Sequence, residues 1–182
     1  MNFRRYSFEV PFGALAENLV NSLDLSIEVP EHLGTVAQLV DFLKEHDIAA
    51  TRRVGAADLD ATKDLRSEVR ALFEAESTGA ALQQLNRLLE GAQLDLAVVR
   101  DKGSPRLRWS VRPALPLADS LRAAVAVNIA HIVETFGFER LRVCGASPCA
   151  DVFLDVSKRG EQKFCGPRCA TRTRVAAHRA RQ

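Results

Sequence analysis

The sequence predicts an α+β fold, mainly α: a helical N-terminal domain with one β-hairpin, then a small C-terminal unit built on four cysteines. Three observations carry this expectation. Apolar residues recur at helical spacing over most of the first 139 residues. The period falls to two over residues 94–99 and 107–112, around a turn-rich Asp101–Pro105. The cysteines stand as Cys144-x4-Cys149-x15-Cys165-x3-Cys169, and the 143 residues before them hold none.

The elements follow in order. Residues Phe3–Pro11 are mixed and read as extended. Leu15, Leu19 and Leu23 stand at i, i+4, i+8 and predict a first helix. A connector holding Pro30 leads to Thr35, which caps a second helix with Val36, Leu39, Val40 and Leu43 on one stripe. Arg52–Gly55 reads as loop. A third helix is expected from Asp58 to Glu76, with Leu65, Val69, Leu72 and Phe73 inward and Gly79 breaking it. A fourth carries Leu82, Leu85, Leu88 and Leu89 before Gly91. The hairpin comes next, ended by Pro113 and Pro116. The longest helix is expected over Leu117–Phe136, with Leu121, Val125, Ile129, Ile132 and Val133 apolar and Gly137 as its stop. Leu141-Arg142-Val143 then enters the cysteine unit, so the expected domains are 1–139 and 140–182.

Two close cysteine pairs place four sulfurs within reach of one tetrahedral ion, and Zn²⁺ takes four thiolates at about 2.3 Å in closed structural sites. Neither pair is the C-x-x-C of redox proteins, and four thiolates leave no open position for catalysis. Between the pairs, Val152-Phe153-Leu154 and Gln162-Lys163-Phe164 read as the arms of a hairpin turning near Gly160. Pro167 suits the first position of a final helix, with Cys169 in its first turn. Knuckle, hairpin and ligand-bearing helix together resemble a treble-clef zinc finger holding one structural zinc through Cys144, Cys149, Cys165 and Cys169.

At 100° per residue the final helix divides in two. Cys169, Ala170, Thr173, Ala176, Ala177 and Ala180 form one half, expected to pack on the metal or the domain. Arg168, Arg172, Arg174, His178, Arg179 and Arg181 form the other, a cationic side suited to a phosphate backbone or a major groove.

These residues resemble the CGNR zinc-finger family, whose members pair an N-terminal ABATE domain with a C-terminal finger and are regarded as stress-induced regulators of bacterial transcription. The likeness rests on Cys144-x4-Cys149, Phe153-Leu154-Asp155, Phe164 before Cys165, Cys169 with Arg172 three positions on, and the basic end. The eponymous Cys-Gly-Asn-Arg reads Cys169-Ala170-Thr171-Arg172 here. The resemblance implies a DNA-binding transcription regulator.

Charge is divided along the chain. From Arg140 onward, ten Lys and Arg stand against Asp151, Asp155 and Glu161, a net +7; the first 139 residues carry fifteen against twenty, a net −5. A basic end on an acidic body points to nucleic acid. The expected partners are double-stranded DNA for the helix, and a small-molecule effector or a partner subunit, a homodimer included, for the body. The rival reading makes the finger a protein-interaction module whose basic helix binds an acidic partner. In a third, the body binds a ligand and the finger only staples the C-terminus. Cysteine use, the absence of a signal-peptide pattern and the lack of any apolar run near ~18 residues predict a cytoplasmic protein free of the membrane. No nucleophile motif, phosphate-cradling loop or carboxylate pair is visible, so no enzyme is expected. His32, His46 and His131 are scattered, and His131 reads as a packed histidine. His178 reads as a phosphate or solvent contact, and Asn18 and Asn21 as polar caps in contact with solvent rather than the lining of a pocket.

Overall fold

The computed structural model describes residues 12–24, 26–28, 30–46, 48, 50, 52–90, 94–101, 104–111 and 116–182, with backbone alone at 12–14 and along the 94–111 hairpin. The extended stretch expected over Phe3–Pro11 lies outside the described residues, as do Gly91 and Pro113.

Helix α1 (Phe12–Asn21) turns Leu15 and Leu19 inward as their spacing requires. It ends before Leu23, which instead bridges to Glu31 across the connector. Helix α2 (Val36–Glu45) begins at a capping box: the Thr35 hydroxyl accepts from Gln38 N–H, and the Gln38 side chain accepts from Thr35 N–H. Helix α3 (Ala56–Phe73) starts two residues before Asp58, because the Asp58 carboxylate at the third helical position takes the Gly55 N–H at 2.9 Å. It also ends before Glu76. Ser77 caps α4 (Thr78–Leu89) by accepting from Ala80 N–H, so Gly79 falls inside the first turn of α4 and is not the break. On α4 the buried stripe is Ala81, Leu85 and Leu88, and Leu82, expected inward, is 50% exposed.

The 94–111 hairpin pairs β1 (Leu94–Asp101) with β2 (Ser104–Val111) antiparallel, from Leu94 opposite Val111 to Asp101 opposite Ser104. Helix α5 (Leu117–Phe136) then crosses the bundle, in contact with α1, α3 and α4. Gly137, at φ +87°, stops it in a left-handed conformation that side chains rarely adopt. The interior is one apolar cluster in which Leu19, Leu39, Val69, Leu88, Leu121, Val125 and Ile129 are fully buried. Each such side chain stabilises the fold by about 1.5–3 kcal/mol relative to exposure.

Two ion pairs brace this core, one between two helices and one from α3 to the connector. Arg122 on α5 donates to both Glu68 oxygens on α3, at 2.5 and 2.7 Å. Arg66 on α3 is buried and donates to both oxygens of Glu31 at 2.8 Å and to the Ser22 hydroxyl at 3.1 Å. The Arg66 guanidinium holds the Glu31 carboxyl below the usual carboxylate range, against its partial burial.

A depressed carboxylate contributes stability that is present above its unfolded pKa of about 4.3 and fades as pH falls through the lower folded value. Glu31→Gln should therefore cost about 2–3 kcal/mol at neutral pH, since it leaves a buried guanidinium unpaired. Chemical denaturation of both proteins across pH should show that gap closing toward acid. An equal gap at all pH values would mean the pair contributes no charge-dependent stability.

Candidate metal centre

The last forty residues build a compact unit from three short elements. Strands β3 (Leu141–Val143) and β4 (Val152–Leu154) pair antiparallel, Leu141 opposite Leu154, and the knuckle Cys144–Cys149 is the loop that joins them. The ladder continues through Cys144 N–H to Asp151 C=O at 2.8 Å. Helix α6 (Pro167–Arg179) opens on proline at its first position and carries Cys169 in its first turn.

The pairing of β4 corrects the expected hairpin. Its partner is β3, and residues 162–164 form no strand. The backbone groups that such a ladder would need are taken. The buried Asp155 carboxylate accepts from Ser157 N–H at 2.9 Å and Gln162 N–H at 2.8 Å. Gly145 N–H takes the Lys163 carbonyl at 2.9 Å. Burial opposes ionisation of Asp155, but Ser157, the Gln162 N–H and Arg140 outweigh it and hold the carboxyl below the usual range.

The outer edge of β4 is satisfied from the helical body. The Asn21 side-chain amide donates to Val152 C=O at 2.9 Å and accepts from Val152 N–H at 2.8 Å, as a neighbouring strand would. One turn earlier on α1, Glu17 accepts from Leu154 N–H at 2.6 Å. Burial lifts the Glu17 carboxyl above its usual range, and that N–H offsets part of the rise. Arg70 on α3 donates to Ala150 C=O at 2.8 Å, bracing the knuckle. Leu141 and Val152 belong to the same apolar cluster as the helices.

Within this frame the four cysteine sulfurs converge, all within 4.8 Å of one another. Cys149 and Cys165 sulfurs lie 3.8 Å apart and those of Cys165 and Cys169 3.6 Å, against about 3.8 Å for the edge of a tetrahedron with ~2.3 Å zinc–sulfur bonds. These separations are far beyond a disulfide's ~2.05 Å, and all four thiols are free. The donor set and spacing fit one structural zinc ion. Burial pushes the Cys149 thiol up to about 12 and raises Cys165 too, with its neighbouring thiols adding to the rise. Cys144 is lowered: burial works against it, but the N–H groups of Cys165 and Ala146 donate to its sulfur. A cation that replaces three or four thiol protons answers this crowding, so metal affinity falls toward acid.

The predicted nucleic-acid residues separate into two groups. Arg168, Arg174, His178, Arg179 and Arg181 are exposed along α6. His178 bonds Gln182 in the last turn, away from the cysteines. Arg172 is also exposed, yet its Nη2 donates to Cys169 Sγ at 3.5 Å and its charge acts on Asp24 in the connector. The small-residue half of α6 differs from expectation. Only Cys169 is buried, Ala170 and Thr173 are half-buried, and every residue after Thr173 is exposed. Ala176, Ala177 and Ala180 thus face solvent rather than the metal or the domain.

Sequence reasoning assigned no role to Asp155, Glu17 or Arg70, and read Asn21 only as a polar cap. Asp155 had a local signal, an Asp two residues before Ser in a polar loop, which marks side-chain capping of a turn. The others act across 80 to 137 positions, where a sequence gives no pairing.

Residues 13–135 match the ABATE family, described as "Putative stress-induced transcription regulator". The chain belongs to that family. Residues 140–182 match the CGNR zinc finger, and the cysteine cluster over 144–169 is the centre of that finger. One description names a transcription regulator and the other a zinc finger, and neither names an enzyme. The chain is also similar to a taurocyamine kinase of Schistosoma mansoni, 27% identical over 127 residues. That match covers 60% of this chain and spans 16% of the kinase's length. Among the described residues no helix is long and apolar enough to cross a membrane.

Purified protein should carry about one zinc per chain, measured by atomic spectroscopy, and Cys165→Ser should lose it and unfold the finger while the body stays largely helical. A metal-free preparation made without chelators, with the finger still ordered by NMR, would sink the site. Arg172→Ala removes a donor to a ligand sulfur and should weaken zinc affinity by about 10-fold or more. Competition with a chromophoric chelator reads this directly, and unchanged affinity would strip Arg172 of that role.

Proposed function

We propose that the protein is a two-domain regulator of transcription that binds duplex DNA through its finger. In this reading residues 1–139 form the regulatory body and residues 140–182 the DNA-binding unit. Cys144, Cys149, Cys165 and Cys169 hold one structural Zn²⁺, which fixes the base of α6. The observation that carries the reading is the exposure of α6 on all sides beyond Thr173, with four arginines along it, Arg181 in the turn that follows and no acid after Glu161. An unencumbered helix about 10–12 Å across can enter a major groove about 12 Å wide. Arg168, Arg174, His178, Arg179 and Arg181 would meet the phosphate backbone, and Arg172 would divide its donors between Cys169 and the DNA.

Phe153 is buried and Phe164 half-buried, so the described finger offers no exposed aromatic platform of the kind that stacks single-stranded bases. This supports duplex over single strand. We assign to the body the holding of a partner, a second copy of this chain or another subunit, ahead of a small-molecule effector. Leu19, Leu39, Val69 and Val125, on the four helices that would have to surround an effector pocket, are each fully buried within one apolar cluster. In this reading the protein acts beside the chromosome, in the cytoplasm. We assign it no enzymatic activity. The kinase likeness covers a small part of that enzyme, and neither matched family's description names an enzyme.

Each arginine that meets a phosphate releases counterions and adds ~0.9 to the slope of log K against log salt. Replacing Arg174, Arg179 and Arg181 together with alanine should weaken duplex binding and flatten that slope by roughly two to three units. Fluorescence anisotropy across a salt series measures both. Unchanged affinity and slope, with zinc still bound, would favour an acidic protein partner instead.

A further inference from the structure

The finger carries a second group of cations that α6 does not include. Lys158, Arg159 and Lys163 are exposed on the loop between β4 and α6, with Glu161 the one acid among them. The loop is held in shape by side chains that point inward. Asp155 takes the N–H groups of Ser157 and Gln162. Arg140 donates to the carbonyls of Asp155 at 3.0 Å and Ser157 at 2.6 Å, and Arg142 to Gly160 C=O at 3.0 Å. Gly160 sits at φ +69° with the Arg140 guanidinium packed over it, 3.1 Å from where a Cβ would stand. The one buried acid is thus neutralised inside the loop, and its outward charge is cationic.

The loop is also continuous with α6. Two open depressions meet at Gln162 and Lys163, one lined by Arg142 and Gly160 and the other by Pro167 and Ala170 in the first turn of the helix. Lys163 therefore marks one end of α6, and Arg179 and Arg181 the other. Thirteen helical residues separate these ends by about 20 Å, wider than the ~12 Å major groove. Cations at both ends can reach the two phosphate strands that border a groove in which the helix lies.

We infer that the loop over residues 157–163 is a second phosphate-binding arm, through Lys158, Arg159 and Lys163, for duplex DNA. The inference rests on the DNA-binding reading above and adds the strand that the helix's C-terminal arginines do not reach. Cations at both ends of α6 match the two phosphate strands that border a duplex groove, which a single strand does not offer.

The test uses zinc-loaded full-length protein and a short mixed-sequence DNA duplex. Lys158→Ala, Arg159→Ala and Lys163→Ala together should lower the salt slope by about two to three units. Zinc content and helical signal should stay as in the wild type, since all three residues are exposed. If this variant keeps wild-type affinity and slope while the Arg174, Arg179 and Arg181 variant loses both, the loop is no arm and the helix alone binds. Wild-type protein without salt-dependent duplex binding would overturn both readings.

Discussion

The side chain of Asn21 joins the two halves of the molecule. Its amide presents a donor and an acceptor to Val152 at 2.9 and 2.8 Å, the two bonds that a third strand would supply to the edge of β4. A two-stranded ribbon of three residues per strand is marginal alone, and its open edge would otherwise lie unpaired against the body. Helix α1 covers that edge with Asn21 and, one turn earlier, Glu17. Because α1 is fixed by the buried Leu15 and Leu19, the finger inherits its position from the helical core.

The knuckle is consequently held from two directions. Inside, four sulfurs close on one metal position, supported by backbone N–H groups and by Arg172. Outside, Arg70 grips the Ala150 carbonyl and Val152 packs into the common apolar cluster. A unit of this size buries too little apolar surface to fold on hydrophobic energy alone. Metal and body supply what the small core lacks. The combination anchors the start of α6 and leaves every residue after Thr173 exposed.

Much of this was legible in the sequence. Helical repeats such as Leu15–Leu19 and Leu121–Val125–Ile129 report a local period, so the helices were found nearly to their ends. Cysteine spacing reports local chemistry in the same way. The pairing of β4 was misread because strands of three residues carry no pattern, and its partner lies before the knuckle rather than after it. The fate of Ala176, Ala177 and Ala180 was misread for a related reason: a small-residue face shows that packing is allowed, not that a neighbour exists. Asn21 looked like any helix-end asparagine because its partner stands 131 residues away.

The claim that the body holds the finger is most directly tested by amide hydrogen exchange on the zinc-loaded protein, wild type against Asn21→Ala. The account predicts faster exchange at Val152, spreading through β3 and β4, while amides in the middle of α5 keep their protection and the zinc stays bound. A Val152 amide equally protected in both proteins would show that the finger stands on its metal alone, and would contradict the account.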